Sequence, residues 1–218
     1  MTDLMLPPGI AINDPRPIAA ASPYTFFLPH ADELAAVQQG DGIKLIFRQT
    51  EGDPEYSAER MWVLIESVQD GMVTGTLDNQ PASMALIREG DRVTVPLSHA
   101  IGTAFRKDRP RVTVPAVRTY WDRCFVDQCV LDGRSHIDYL YREEPDMTCE
   151  GDAYPDSGWR IRGTQDAIDA DAQADAHPQY IALGKVLNSN NGWLYLIDSP
   201  PGCAFAWDAD SGTFVELD

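Results

Sequence analysis

Basic side chains are scarce in this sequence. Seventeen Lys and Arg stand against 34 Asp and Glu over 218 residues, a net charge of -17. Phosphate backbones are held by positive surface, so nucleic acid is not an expected partner. Cysteine is also sparse: Cys124, Cys129, Cys149 and Cys203, all in the second half. Four are too few for a disulfide scaffold at this length, and they read as small apolar residues or free thiols. No apolar run reaches the roughly 18 residues that cross a bilayer, so no membrane partner is expected. The start, Met1-Thr2-Asp3-Leu4, lacks the basic-then-apolar order of a secretory signal. The expected location is the cytoplasm. A phosphate-cradling glycine loop and a dinucleotide fingerprint are both missing, so no cofactor is expected.

The residues that are present describe a folded protein. Hydrophobic residues make up 44% of the chain, with five Trp and eight Tyr, which argues against disorder. The length suits one large domain or two of about 100 residues. Charge divides unevenly: residues 1–118 hold 15 acidic and 11 basic side chains, and residues 119–218 hold 19 and 6, for net charges of -4 and -13. Acidic surface keeps a protein soluble and also suits a basic partner.

Six prolines in residues 1–29 predict an extended arm. His30 to Gln39 reads as a short helix, with Pro29 at its start and Gly40 just past its end. Ile43–Phe47, Met61–Val68, Met72–Leu77 and Arg92–Val95 read as strands, with a hairpin turn at Asp70-Gly71. Residues 106–119 form a basic, proline-marked linker containing Arg106, Lys107, Arg109, Arg111 and Arg118. Beyond it, Phe125–Leu131 and Ile137–Tyr141 read as a hairpin about Asp132-Gly133, with the outer tyrosines on a wet face. Thr164–Asp175 reads as an acidic helix or loop, Tyr180–Leu187 leans helical, and Trp193–Ile197 reads as a buried strand. A terminal hairpin joins Ala204–Trp207 to Thr213–Leu217. Strands and helices do not alternate regularly. The expected class is therefore α+β, two small domains built on antiparallel sheets with few short helices. Their expected extents are 30–105 and 120–218, with residues 1–29 as the arm and 106–119 as the linker.

No catalytic or metal template survives inspection. From Asp169, a calcium loop needs Gly at its sixth position and a carboxylate at its twelfth; Ala174 and Tyr180 stand there. Cys124 and Cys129, with His136 and Cys149, lack the second tight pair that zinc requires. Ser157 has no glycine two positions before it, as a hydrolase elbow demands. No catalytic residue, metal or cofactor is assigned.

The richest segment is Tyr154-Pro155-Asp156-Ser157-Gly158-Trp159-Arg160. It reads as a turn that presents Trp beside Arg, which suits a protein-binding hot spot; Trp159 equally fits a core position. The candidate partner-binding surface is Tyr154, Asp156, Trp159 and Arg160, bordered by Asp169, Asp171 and Asp175.

Two stretches resemble known families. Val130-Leu131-Asp132-Gly133, Tyr141-Arg142-Glu143-Glu144-Pro145, Asp156-Ser157-Gly158-Trp159-Arg160, Gly184-Lys185-Val186-Leu187-Asn188 and Leu196-Ile197-Asp198-Ser199-Pro200-Pro201-Gly202 occur in order. On these, residues 124–218 resemble the immunity protein 33 domain. Residues 59–101 are similar to another small bacterial family of unknown function, through Glu59-Arg60-Met61-Trp62-Val63, Gly75-Thr76-Leu77-Asp78-Asn79-Gln80-Pro81 and Gly90-Asp91-Arg92-Val93; the Asp-Trp that usually ends that family is missing after Ile101. The first resemblance implies a non-catalytic protein that neutralises a toxin by binding it, the toxin being a protein partner and a basic one on charge grounds. It supplies no catalytic residues. Two other classes stay open: an interaction module without a toxin, and an enzyme or small-ligand binder with a cleft between domains.

Overall fold

The computed structural model describes residues 4–52, 56–110 and 112–217; Met1-Thr2-Asp3 and Arg111 of the basic segment lie outside them. The fold is α+β, with mostly antiparallel sheets and few short helices. The chain divides into two compact units, Met1–Val117 and Arg118–Asp218.

The first unit contains β1 (Ile10–Ile12), α1 (Arg16–Ala21), α2 (Ala31–Ala36), β2 (Gly42–Gln49), β3 (Ala58–Gln69), β4 (Met72–Leu77), β5 (Arg92–Pro96) and β6 (Gly102–Ala104). The sheet order is β1-β2-β3-β4-β5, and β6 pairs with β2. Alternation decides which face is buried. Ile43, Leu45 and Phe47 are buried, as are Met61, Val63 and Ile65, while Lys44, Arg48 and Leu64 point the other way. The β3–β4 hairpin closes on Asp70 and Gly71, both at positive φ, the left-handed pair of a tight two-residue turn. His30 starts α2: its ring accepts the Asp32 N–H, and Glu33 reaches back to the His30 N–H, a capping box.

The expected extended arm is corrected by α1. Pro17 stands in its first turn, where the missing N–H is not needed, and Asp14 accepts the Arg16 N–H at 3.0 Å. The start of the basic segment is tied into the first unit. Buried Asp41 accepts the N–H groups of Gln38 and Arg106 and pairs with Arg109, whose guanidinium also donates to the Ala36 carbonyl.

The second unit contains β7 (Arg123–Val126), α3 (Gln128–Leu131), β8 (Tyr139–Arg142), β9 (Asp156–Arg162), α4 (Gln165–Gln173), β10 (Gln179–Ala182), α5 (Leu183–Ser189), β11 (Ala204–Asp208) and β12 (Thr213–Glu216). The sheet order is β10-β7-β9-β8-β11-β12, and β7–β9 is a parallel pair. Three expectations change here. The strand over Phe125–Leu131 stops at Val126, so no hairpin forms about Asp132-Gly133. The Asp127 carboxylate takes the Gly163 N–H and Arg162, while its carbonyl accepts the Val130 and Leu131 N–H groups and opens α3. Tyr180–Leu187 splits into β10 and α5, because Tyr180 and Ile181 pair with Phe125 and Cys124. Trp193–Ile197 is largely buried as expected, but around a 3-10 turn rather than a strand.

Candidate functional site

The segment expected to be a turn is the central strand of the second sheet. Asp156–Arg162 forms β9, flanked by β7 and β8, and its first six residues are buried. Two steps along β7, from Arg123 to Phe125, span four of β9, from Asp156 to Arg160. Gly158 absorbs the excess at positive φ. A Cβ there would collide with the Glu143 carbonyl oxygen, so no other residue fits without displacing backbone.

The bulge folds Asp156 and Arg160 onto each other. Arg160 Nη1 donates to Asp156 Oδ1 at 3.0 Å and Nη2 to Oδ2 at 2.9 Å, while Nε donates to Glu143 at 2.9 Å. Burial works against ionisation of Asp156; the Arg160 bonds and the Gly158 N–H overcome it and hold the carboxyl below its usual range. The same pairing raises the Arg160 pKa further.

Trp159 points to the opposite face and is fully buried. Its ring meets Trp193 edge-on at 5.5 Å and Phe205 at 6.4 Å, and its indole N–H donates to the Ile197 carbonyl at 3.3 Å. This corrects the expectation of an exposed anchor: strand alternation on a buried bulge turns the indole into the core. Asp156 and Arg160 are buried as well. Tyr154 is exposed, with its ring 5.9 Å from that of Trp121. The three aspartates separate in the same way. Asp169 and Asp175 are exposed, but Asp171 is buried and accepts the Cys129 N–H at 2.7 Å and Arg134 at 2.6 Å. The expected surface is thus not one patch: of its seven residues, only Tyr154, Asp169 and Asp175 are exposed.

The face of the sheet opposite Trp159 carries a different cluster. Tyr180, Phe125, Arg160 and Tyr141 stand side by side across β10, β7, β9 and β8, with Arg162 and Tyr139 one pair further along. Phe125 and Tyr180 lie 4.9 Å apart, Tyr139 and Tyr141 stack at 5.3 Å, and Arg160 sits over Phe125 at 5.2 Å. The four aromatic residues are half-buried. A shallow cavity of about 270 Å³ opens here, lined by Phe125, Asp127, Tyr141, Arg160, Arg162 and Pro178 among others. Asp127 accepts Arg162 Nε at 2.8 Å. Burial opposes the Arg162 charge, but the bond to Asp127 outweighs it and raises its pKa. Such a surface offers flat aromatic area and directional donors at low cost in side-chain entropy. The sequence signal for it is the spacing of Tyr139 and Tyr141; nothing local announces that Phe125 and Tyr180 join them.

Of the cysteines, Cys124 and Cys129 are buried, and burial pushes their pKa values up to about 12 and about 11. Burial thus favours the neutral thiol over the thiolate at both positions. Among the described residues, no group of three or more His, Cys, Asp or Glu side chains is arranged to hold a metal ion, and no helix is long and apolar enough to cross a membrane. Glu143 is engaged with Arg160 at 2.9 Å.

Residues 124–218 match the family described as the immunity protein Imm33 domain. Residues 21–108 match an uncharacterized protein conserved in bacteria, DUF2314, over a wider stretch than the residues that first suggested it. No curated protein matches the chain, and no solved structure matches it.

Proposed function

We propose that this chain is a non-catalytic, immunity-type protein that binds a protein toxin in the cytoplasm and neutralises it by covering it, using the open aromatic face of the second unit. The observation that carries this reading is the match of residues 124–218 to the Imm33 domain. The surface chemistry supports it. Tyr and Arg are enriched where protein interfaces hold most of their binding energy, and here Tyr139, Tyr141, Tyr180 and Arg162 stand together on one sheet face. The charge of -13 over residues 119–218 favours fast encounter with a basic partner. Exposed Asp169 and Asp175 contribute to that steering, while Asp171 is committed to Cys129 and Arg134.

The test is co-expression with the products of the neighbouring genes, scored by cell survival, followed by binding kinetics at two salt concentrations with any product that proves toxic. Tyr141→Ala is expected to speed dissociation, at a cost of at least about 2 kcal/mol. Asp169→Asn with Asp175→Asn is expected to slow association and flatten its salt dependence. Protection without a detectable complex, or full affinity in the Tyr139→Ala and Tyr141→Ala variants, removes the basis of this reading.

A further inference from the structure

The two edges of the second sheet differ in how their backbone is covered. At β12 the Phe214 N–H donates to the Tyr195 hydroxyl at 3.1 Å, so a side chain occupies that edge. β10 is the other edge and pairs with β7. In an antiparallel pair, alternate residues turn their N–H and C=O groups to the neighbour, and the residues between turn theirs away. The Leu183 N–H reaches the Asp122 carbonyl at 2.9 Å, while the Arg123 and Asp127 N–H groups reach Pro155 and Ile161 on the β9 side. Gln179 and Ile181 therefore face β7, and Tyr180 and Ala182 face outward. The Tyr180 N–H, the Tyr180 C=O and the Ala182 N–H have no hydrogen-bond partner among the described residues. Pro178, without an N–H, ends this row on one side, and α5 ends it on the other.

The row borders the aromatic face. Tyr180 stands opposite Phe125, with the rings 4.9 Å apart. Tyr180 is half-buried, and Gln179 beside it is exposed. A backbone laid along β10 would set alternate side chains beside Tyr180, at about 5 Å, and widen the face by one strand. Donor, acceptor and donor stand in one line here. A phosphate or carboxylate can only accept, whereas an extended backbone supplies both kinds of group at the right repeat.

We propose that β10 receives an extended strand of the protein partner by antiparallel addition, its main chain pairing with Tyr180 and Ala182 while one aromatic or β-branched side chain rests on Tyr180. The charge of -13 over residues 119–218 disfavours a second copy of this chain as the occupant and favours a basic segment. The proposal rests on the second unit being partner-binding, and it adds a contact that the rings of β8 do not make.

The experiment titrates the full-length protein with the peptide acetyl-Lys-Val-Lys-Tyr-Lys-Val-Lys-amide and follows amide hydrogen exchange by NMR. In the free protein, Tyr180 and Ala182 are expected to exchange fast and Ile181 slowly. Saturating peptide is expected to slow Tyr180 and Ala182 by about tenfold or more. Two N-methylated forms of the peptide carry the same charge. Methyl groups on the Val and Tyr nitrogens block the edge that faces β10 in antiparallel pairing; methyl groups on the Lys nitrogens block the other edge. The first form is expected to bind about tenfold more weakly than the second. Ala182→Pro removes an outward N–H without breaking an internal bond, and Ala182 already has a φ of -63°, which proline adopts. It is expected to weaken the unmodified peptide about tenfold while thermal unfolding stays unchanged. If this variant is unstable, the methylated pair decides the outcome. The readout uses no toxin and no residue of β8, so failure of strand addition and failure of the aromatic face are separate results. Unslowed exchange at Tyr180 and Ala182, equal binding of the two methylated peptides, or self-association of the protein in place of peptide binding overturns the proposal.

Discussion

Asp156 and Arg160 are four residues apart on one strand, yet their side chains share two hydrogen bonds, at 3.0 and 2.9 Å. An unbroken strand would hold them about 13 Å apart, at about 3.3 Å per residue. The bulge at Gly158 brings them together in the middle of the second sheet. Asp156→Ala removes the buried carboxylate and leaves the buried guanidinium to the half-exposed or exposed Glu143 and Asp146 and the Trp159 carbonyl. It is expected to destabilise the second unit by about 3 kcal/mol or more. Gly158→Ala is expected to cost at least about 2 kcal/mol, since it adds a clash to an unfavourable φ. Urea unfolding followed by Trp fluorescence measures both; midpoints equal to wild type would show that the pair and the bulge contribute nothing.

Trp159 is a core residue, and its truncation is read in stability before binding. Trp159→Ala is expected to destabilise the second unit by about 3 to 5 kcal/mol. Trp159→Phe keeps most of the apolar contact with Trp193 and Phe205 and loses the indole bond to Ile197, so a smaller loss is expected. Calorimetry of the two variants ranks them. A Trp159→Ala protein as stable as wild type would contradict the burial.

Acid should destabilise both units. Burial disfavours ionised Asp41 and Asp156, and hydrogen bonds from backbone N–H groups and paired arginines more than offset it, so both have folded pKa values below the ordinary carboxylate value. A carboxyl lowered on folding adds stability that is complete above its unfolded pKa and lost as pH falls through the folded one. The expected loss begins as pH falls towards the ordinary carboxylate value and is complete only below the folded, lowered one. Stability against pH for wild type, Asp41→Asn and Asp156→Asn checks this. The variants should start less stable and depend less on pH; parallel curves would show that these groups are not linked to folding.

Thiol labelling should separate the cysteines. Cys149 is exposed, Cys203 is half-buried, and Cys124 and Cys129 are buried. A disulfide reagent is expected to modify Cys149 first and Cys203 more slowly, with Cys124 and Cys129 following only at the rate of unfolding. Fast reaction of Cys124 in the folded protein would mean that β7 opens locally, since it lies between β9 and β10.

Tyr195 guards the edge strand β12. Its hydroxyl accepts the Phe214 N–H at 3.1 Å and meets Thr213 Oγ1 at 2.8 Å. It thereby occupies backbone that another strand could pair with. Tyr195→Phe is expected to cost about 1 kcal/mol and to increase self-association at high concentration. Sedimentation velocity and thermal unfolding test the two effects; an unchanged protein would show that the edge needs no such cover.

Much of the first unit was legible because its signals are local. Alternation at Ile43, Leu45 and Phe47 fixes the buried face of β2, and Asp70-Gly71 specifies a hairpin turn by its backbone conformation alone. The α2 helix and the terminal hairpin of the second unit were readable for the same reason. The α1 helix was not, since proline count says nothing of where in a helical turn each proline falls. The candidate surface was harder still. Asp, Ser and Gly around Trp159 carry the composition of a turn, and only the sheet decides otherwise. Parallel pairing of β7 with β9, distant in the chain, buries the segment and forces the bulge. That register sends Trp159 into the core and gathers Phe125, Tyr141 and Tyr180 from three strands onto the other face. The sequence by itself determined the α+β class, the acidic charge and the family likeness, because composition and local pattern carry them. Which side chains meet was decided by tertiary structure, because contacts across strands depend on register between distant segments, and no local propensity encodes it.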